Sequence, residues 1–169
     1  MRCLCVFFAG ILTRIVRCAF YSFSNDSVGL ILFHQKAKTM IRVIIVDNEA
    51  TFRKGLKTIL LNIGNVEVVG EASNGEEFLT LIEEVTADLV FMDVKMPLLN
   101  GVDATRTALQ SHPYLHIIGF SSYENEDYVR KMVDAGACGY LSKSGDNYDL
   151  LTQIINNPNA AIFPGAKKF

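Results

Sequence analysis

The feature that most restricts the fold of this chain is an alternation running from Ile41 to Ile155, in which short apolar, often β-branched runs take turns with amphipathic stretches of helical period. Ile41-Arg42-Val43-Ile44-Ile45-Val46 is nearly all apolar, as a strand buried on both faces must be. Phe52, Leu56, Ile59 and Leu60 then recur at helical spacing, with Arg53, Lys54 and Lys57 between them. Val66 to Ala72, Leu89 to Met92, Leu115 to Phe120 and Gly139 to Leu141 are the later apolar runs. Helical patterns through Phe78, Leu79, Ile82 and Val85, through Val102, Thr105 and Leu109, and through Tyr128, Val129, Met132 and Val133 separate them. Tyr148 to Ile155 closes the series, and Asn74-Gly75, His112-Pro113 and Ala135-Gly136 punctuate it. Five βα units predict an open α/β fold with a doubly wound parallel sheet and helices on both faces, in one domain over residues 40–157.

Residues 1–39 do not share this pattern. They hold five Lys or Arg against one Asp, a net of +4, which leaves −6 to residues 40–169 in a chain of formal charge −2. Cys3, Cys5 and Cys18 lie here, so the body keeps only Cys138, with no internal disulfide and no Cys-pair metal motif; that suits the reducing cytoplasm. The uncharged run from Cys3 to Thr13 is 11 residues, short of the roughly 20 of a spanning helix. After Arg2 it is closer to the middle of a signal peptide. Met40 stands one residue before the first strand, so the expectation is a mis-assigned start, with residues 1–39 read through from upstream. A membrane-associating leader or a genuine extension are the alternatives. Half the residues are apolar, which excludes a disordered chain, and a pI near 5.9 gives no chain-wide attraction to phosphate backbones. Residues 158–169 read as a short tail whose Lys167-Lys168 is no nucleic-acid patch.

In doubly wound folds the ligand site lies beyond the carboxyl ends of the strands. The first strand ends in Asp47-Asn48-Glu49, the third in Asp93, the fourth in Ser121-Ser122, and Lys143 follows the fifth by one residue. Two carboxylates with a Lys opposite suggest a Mg²⁺ site beside a reactive carboxylate, because Mg²⁺ takes oxygen ligands and retains waters. A carboxylate can attack phosphorus to form an acyl phosphate, with cations neutralising the phosphoryl oxygens.

At this point the sequence resembles the receiver domains of bacterial two-component response regulators, over Ile41 to about Ile155. Val46-Asp47, Phe91-Met92-Asp93, Met96-Pro97, Asn100-Gly101, Ser121, Gly136-Ala137, Gly139-Tyr140-Leu141 and Lys143 carry the resemblance, all in the family's order and spacing. The segment from Gly136 to Lys143 looks most like receivers that precede LuxR-type helix-turn-helix domains. The resemblance implies a flavodoxin-like (βα)5 sheet of strand order 2-1-3-4-5, as in chemotaxis receivers. It also implies that Asp93 accepts a phosphoryl group from a sensor histidine kinase or phosphotransfer protein. Asp47 and Asp93 would hold Mg²⁺ with the backbone carbonyl of Lys95, while Lys143 and Ser121 would contact the phosphoryl oxygens. Tyr140 would swing inward as the switch, biasing the surface of the fourth helix, fifth strand and fifth helix toward an unknown downstream protein. Such domains catalyse only their own phosphorylation and dephosphorylation, and phosphorylation often dimerises them.

The match departs from the family at Asn48, where a second acid usually ligates the metal; weaker Mg²⁺ binding is the expected result. About a dozen residues follow the fifth helix, too few for a helix-turn-helix domain, so no direct nucleic-acid binding is expected of this chain. Plainer readings exist for single residues: Asp47 as a helix cap, Lys143 as a surface charge, Tyr140 as a half-buried aromatic, and Ser122 in place of Ser121. Two rivals exist for the whole. Asn48 permits a pseudo-receiver that binds partners without phosphorylation. Asp47-Asn48-Glu49-Ala50-Thr51 also resembles a degraded haloacid-dehalogenase motif, with Asp47 as nucleophile of a phosphatase.

Overall fold

The computed structural model describes the backbone of residues 6–8, 15–24, 27–36, 40–122, 126–144 and 147–158, and the side chains of those stretches from residue 40 onward. The chain divides into two units, Met1–Thr39 and Met40–Phe169. The first holds a three-stranded antiparallel sheet of β1 (Val6–Phe8), β2 (Ile15–Ser24) and β3 (Ser27–Lys36), in that order. The single five-stranded parallel sheet that was expected is that of the second unit; no element was assigned to this stretch from the sequence, where an antiparallel sheet forms. The reason is visible in β2 and β3, whose β-branched and aromatic residues suit a pleated surface. Ser24 pairs with Ser27 at one end of this ladder. Apart from Val6–Phe8, the apolar run that resembled a signal peptide lies outside the described residues, as does the Lys167-Lys168 tail.

The second unit runs β4 (Ile41–Val46), α1 (Ala50–Ile63), β5 (Val66–Ala72), α2 (Gly75–Glu84), β6 (Leu89–Met92), α3 (Gly101–Ser111), β7 (His116–Ser121), α4 (Glu126–Asp134), β8 (Gly139–Ser142) and α5 (Tyr148–Asn156). All five strands are parallel, in the order β5-β4-β6-β7-β8. That is the expected 2-1-3-4-5. Alternate residues of each strand feed opposite faces, which explains why the central strands are apolar throughout. Ile44, Val46, Val90, Met92 and Ile117 pack with Phe78 and Ile82 of α2, Ala104 and Ala108 of α3, and Met132 of α4. Val43, Ile45, Leu89, Phe91, Ile118 and Phe120 pack with Leu56 and Leu60 of α1 and Leu151, Ile154 and Ile155 of α5.

Two helix starts brace the carboxyl edge of this sheet. Asn74 and Asn100 cap α2 and α3, each side chain accepting the N–H three residues on, at 2.9 Å from Glu77 and 3.0 Å from Asp103. Gly101 lets α3 begin directly against the backbone of Asp93, since a Cβ there would fall on the Asp93 carbonyl oxygen. Among the described residues no helix is long and apolar enough to cross a membrane.

Candidate functional site

The backbone ladder continues one residue past the strand ends and thereby sets the site. Asp47 N–H donates to Ala72 O (3.0 Å), Asp93 N–H to Val46 O (2.8 Å), and Lys143 N–H to Ser121 O (2.8 Å). Asp47 after β4, Asp93 after β6, Ser121 at the end of β7 and Lys143 after β8 are thus lined along one edge. Asp47, Asp93 and Ser121 are buried, and the Lys143 side chain is only 7% exposed.

The structure brings three of the expected groups into one cluster. Lys143 Nζ lies 2.5 Å from Asp47 Oδ2 and 3.3 Å from Asp93 Oδ1. The other Asp47 oxygen accepts from Glu49 N–H at 2.8 Å, and Asp93 Oδ1 accepts from Val94 N–H at 2.8 Å. Burial raises the Asp93 carboxyl above the usual carboxylate range; Lys143 pulls it down and the Asp47 charge pushes it up again. Asp47 does not cap α1: the cap position is Glu49, and one Asp47 oxygen faces Lys143 instead. Nor is Lys143 an ordinary surface charge.

Ser121 is fully buried and Ser122 exposed, so alternation along β7 places Ser121 inward. Tyr140 is buried as well, its ring against the backbone of Gly119, where an added Cβ would meet Tyr140 Cδ2 at 2.8 Å. Asn48 and Glu49 stand exposed, and so does Lys95, whose ammonium lies 4.9 Å from the Tyr128 ring centre. Among the described residues no three His, Cys, Asp or Glu side chains gather as a metal cage. The donor set that does exist, two carboxylates on one edge, is of the hard-oxygen kind that Mg²⁺ takes with retained waters.

Three contributors were not foreseen. Phe52 on α1 counted only as a core position, yet Lys143 Nζ lies 4.5 Å from its ring centre. Arg53, beside it, donates to the Asp47 carbonyl at 2.6 Å and pairs with Glu71 of β5 at 3.4 Å. Gly119 makes room for the Tyr140 ring, and a lone Gly inside a strand pattern was the available signal.

The family model for the response regulator receiver domain matches residues 43–155. The response regulator GacA of Pseudomonas viridiflava is 37% identical over 115 residues, covering 68% of this chain and 54% of GacA. The transcriptional regulatory protein DegU of Brevibacillus brevis is 34% identical over 132 residues, covering 77% of this chain and 56% of DegU. The chain therefore spans about half the length of the curated relatives it matches. Among solved structures, a LuxR-family two-component response regulator from Aurantimonas sp. SI85-9A1 superposes with a TM-score of 0.69 at 29% identity, over 73% of this chain and 89% of that one. A CheY-like response regulator receiver domain protein from Methanospirillum hungatei JF-1 superposes with a TM-score of 0.61 at 28% identity, over 69% and 91%.

Proposed function

The chain belongs to the response regulator receiver domain family, and on that footing we propose that it accepts a phosphoryl group on Asp93 from a sensor histidine kinase or phosphotransfer protein. One observation carries the reading: a buried ammonium, Lys143, held between the carboxylates of Asp47 and Asp93 at the carboxyl edge of the sheet. An Asp93 oxygen attacks phosphorus, the bond from phosphorus to the donor's imidazole nitrogen breaks, and its electron pair leaves with the imidazole. Lys143 donates to a phosphoryl oxygen as charge develops there, and the Ser121 hydroxyl donates to another. Asp47 and Asp93, the Asn48 amide oxygen and the Lys95 carbonyl are the groups that would hold Mg²⁺. When bound, the ion supplies positive charge against the phosphoryl oxygens.

The output is a shift of Ser121 toward the phosphoryl group, followed by a repacking of the Tyr140 ring that now lies against Gly119 and a changed surface on α4, β8 and α5 for a protein partner. The domain catalyses its own phosphorylation and dephosphorylation and turns over no other substrate. We place it in the cytoplasm, which suits the free thiol of Cys138.

Intact mass of the full chain after incubation with acetyl phosphate, with Mg²⁺ or with a chelator, tests the reading. One phosphoryl mass gained only with Mg²⁺ supports it, and no gain at high Mg²⁺ overturns it. Asn48 favours the second reading, a pseudo-receiver, since it brings no charge to the metal group; that reading expects partner binding unaffected by acetyl phosphate.

A further inference from the structure

Among the described residues, three groups are in contact with the Lys143 ammonium. Two of its contacts are the carboxylates of Asp47 and Asp93; a third is the face of the Phe52 ring, 4.5 Å from Nζ to the ring centre. An aromatic face carries partial negative charge and attracts a cation placed over it, more strongly where water is excluded. The Lys143 side chain is 7% exposed, so water competes little for this contact.

Phe52 is itself held in place. Its ring meets Phe120 edge-on, with centres 5.3 Å apart and planes at 74°, and Phe120 lies 6.0 Å from Phe91. Phe120 directly precedes Ser121, and Phe91 is two residues before Asp93. The three rings therefore tie α1 to the ends of β6 and β7, beside the groups that surround the ammonium.

We infer that Phe52 is a positioning residue for Lys143, its ring seating the ammonium between the two carboxylates while leaving it free to move toward a phosphoryl group on Asp93. The inference rests on the proposed phosphoryl transfer for its consequence, though the contact itself does not. Physical chemistry favours a ring at this place over either alternative. A hydrogen-bond acceptor would hold the ammonium in one direction, whereas a π face lets it slide between acceptors without breaking a directional bond. An aliphatic side chain would fill the volume but offer no attraction to the charge.

Phe52→Leu and Phe52→Tyr in the full chain separate these roles, with Phe52→Met in place of Leu should that variant fail to fold. The rate of phosphorylation by acetyl phosphate is expected to fall about fivefold to tenfold in Phe52→Leu, the size of one partly desolvated cation–π contact. Phe52→Tyr, which keeps the ring, is expected to stay within about twofold of the parent chain. NMR of the Lys143 side chain supplies a reading independent of phosphorylation. Its Hε protons are shifted upfield by the ring current in the parent and in Phe52→Tyr, and return toward ordinary lysine values in Phe52→Leu. A Leu variant as fast as the parent, a Tyr variant as slow as Leu, or Lys143 shifts that ignore the substitution would each overturn the inference. Should even the parent take up no phosphoryl group, the proposed function fails, and the NMR shifts still decide whether the ring seats the lysine.

Discussion

Strand β6 has an aspartate at each end, and the two ends are built to opposite purposes. Asp88 precedes Leu89 at the amino edge, and Asp93 follows Met92 at the carboxyl edge, about 16 Å away at the usual rise of a strand. At Asp88 the guanidinium of Arg42 grips both carboxylate oxygens, at 2.7 and 3.1 Å, and the Arg42 N–H adds a third bond at 2.9 Å. Those hydrogen bonds hold the Asp88 carboxyl below the usual range. At Asp93 burial raises it, and one ammonium is shared with Asp47. The first carboxylate is satisfied, and clamps β4 to β6. The second is desolvated and shares its counter-charge, an environment of the kind that perturbs groups at functional sites.

Exchanging carboxylate for amide at each end in turn separates the two most strongly. Asp93→Asn is expected to abolish phosphoryl uptake from acetyl phosphate, while Asp88→Asn keeps the rate within about twofold because it stands outside the charged cluster. Intact mass after equal incubation reads both. Removing the ring between the two ends harms both alike. Phe91 is 1% exposed, and Phe91→Ala is expected to cost about 3–5 kcal/mol in urea unfolding.

The two aspartates also respond to acid with opposite sign. Asp88 has a depressed folded pKa, so its contribution is full above the unfolded value and is lost as pH falls through the folded one. Asp93 has a raised folded pKa, so its ionisation opposes folding at neutral pH, and the penalty eases as pH falls through the raised value. In chelator, thermal scans should show Asp93→Asn more stable than the parent at neutral pH, with the difference shrinking in acid. Asp88→Asn should show the reverse, a loss at neutral pH of about 0.5–1 kcal/mol for so exposed a pair. The smallest effect concerns the loop after Asp93. Leu98 has φ +63° and is 77% exposed, so Leu98→Gly is expected to raise stability by up to about 1 kcal/mol, read from the urea midpoint.

How much of this was legible in the sequence follows the reach of each interaction. Asp47, Asp93, Ser121 and Lys143 could be placed because each stands at the end of an apolar run, a pattern contained within a few residues. Strand order was carried by resemblance, since the runs themselves do not say which neighbours pair. The Arg42–Asp88 clamp spans 46 positions and has no local mark. Phe52 fits the apolar period of α1 equally well whether it meets an aliphatic core or an ammonium, so the period hid its contact with Lys143. No element was assigned to residues 1–39 for a related reason: the sheet of β1 to β3 is defined by pairing between strands, which no local pattern marks.

Of the two carboxylates around Lys143, Asp93 is the one proposed to take the phosphoryl group. Borohydride reduction of the acetyl phosphate-treated chain, followed by peptide mass mapping, reads it most directly, because an acyl phosphate on aspartate is reduced to homoserine. Homoserine at position 93, dependent on Mg²⁺, is the predicted result; homoserine at position 47, or at neither position, would contradict it.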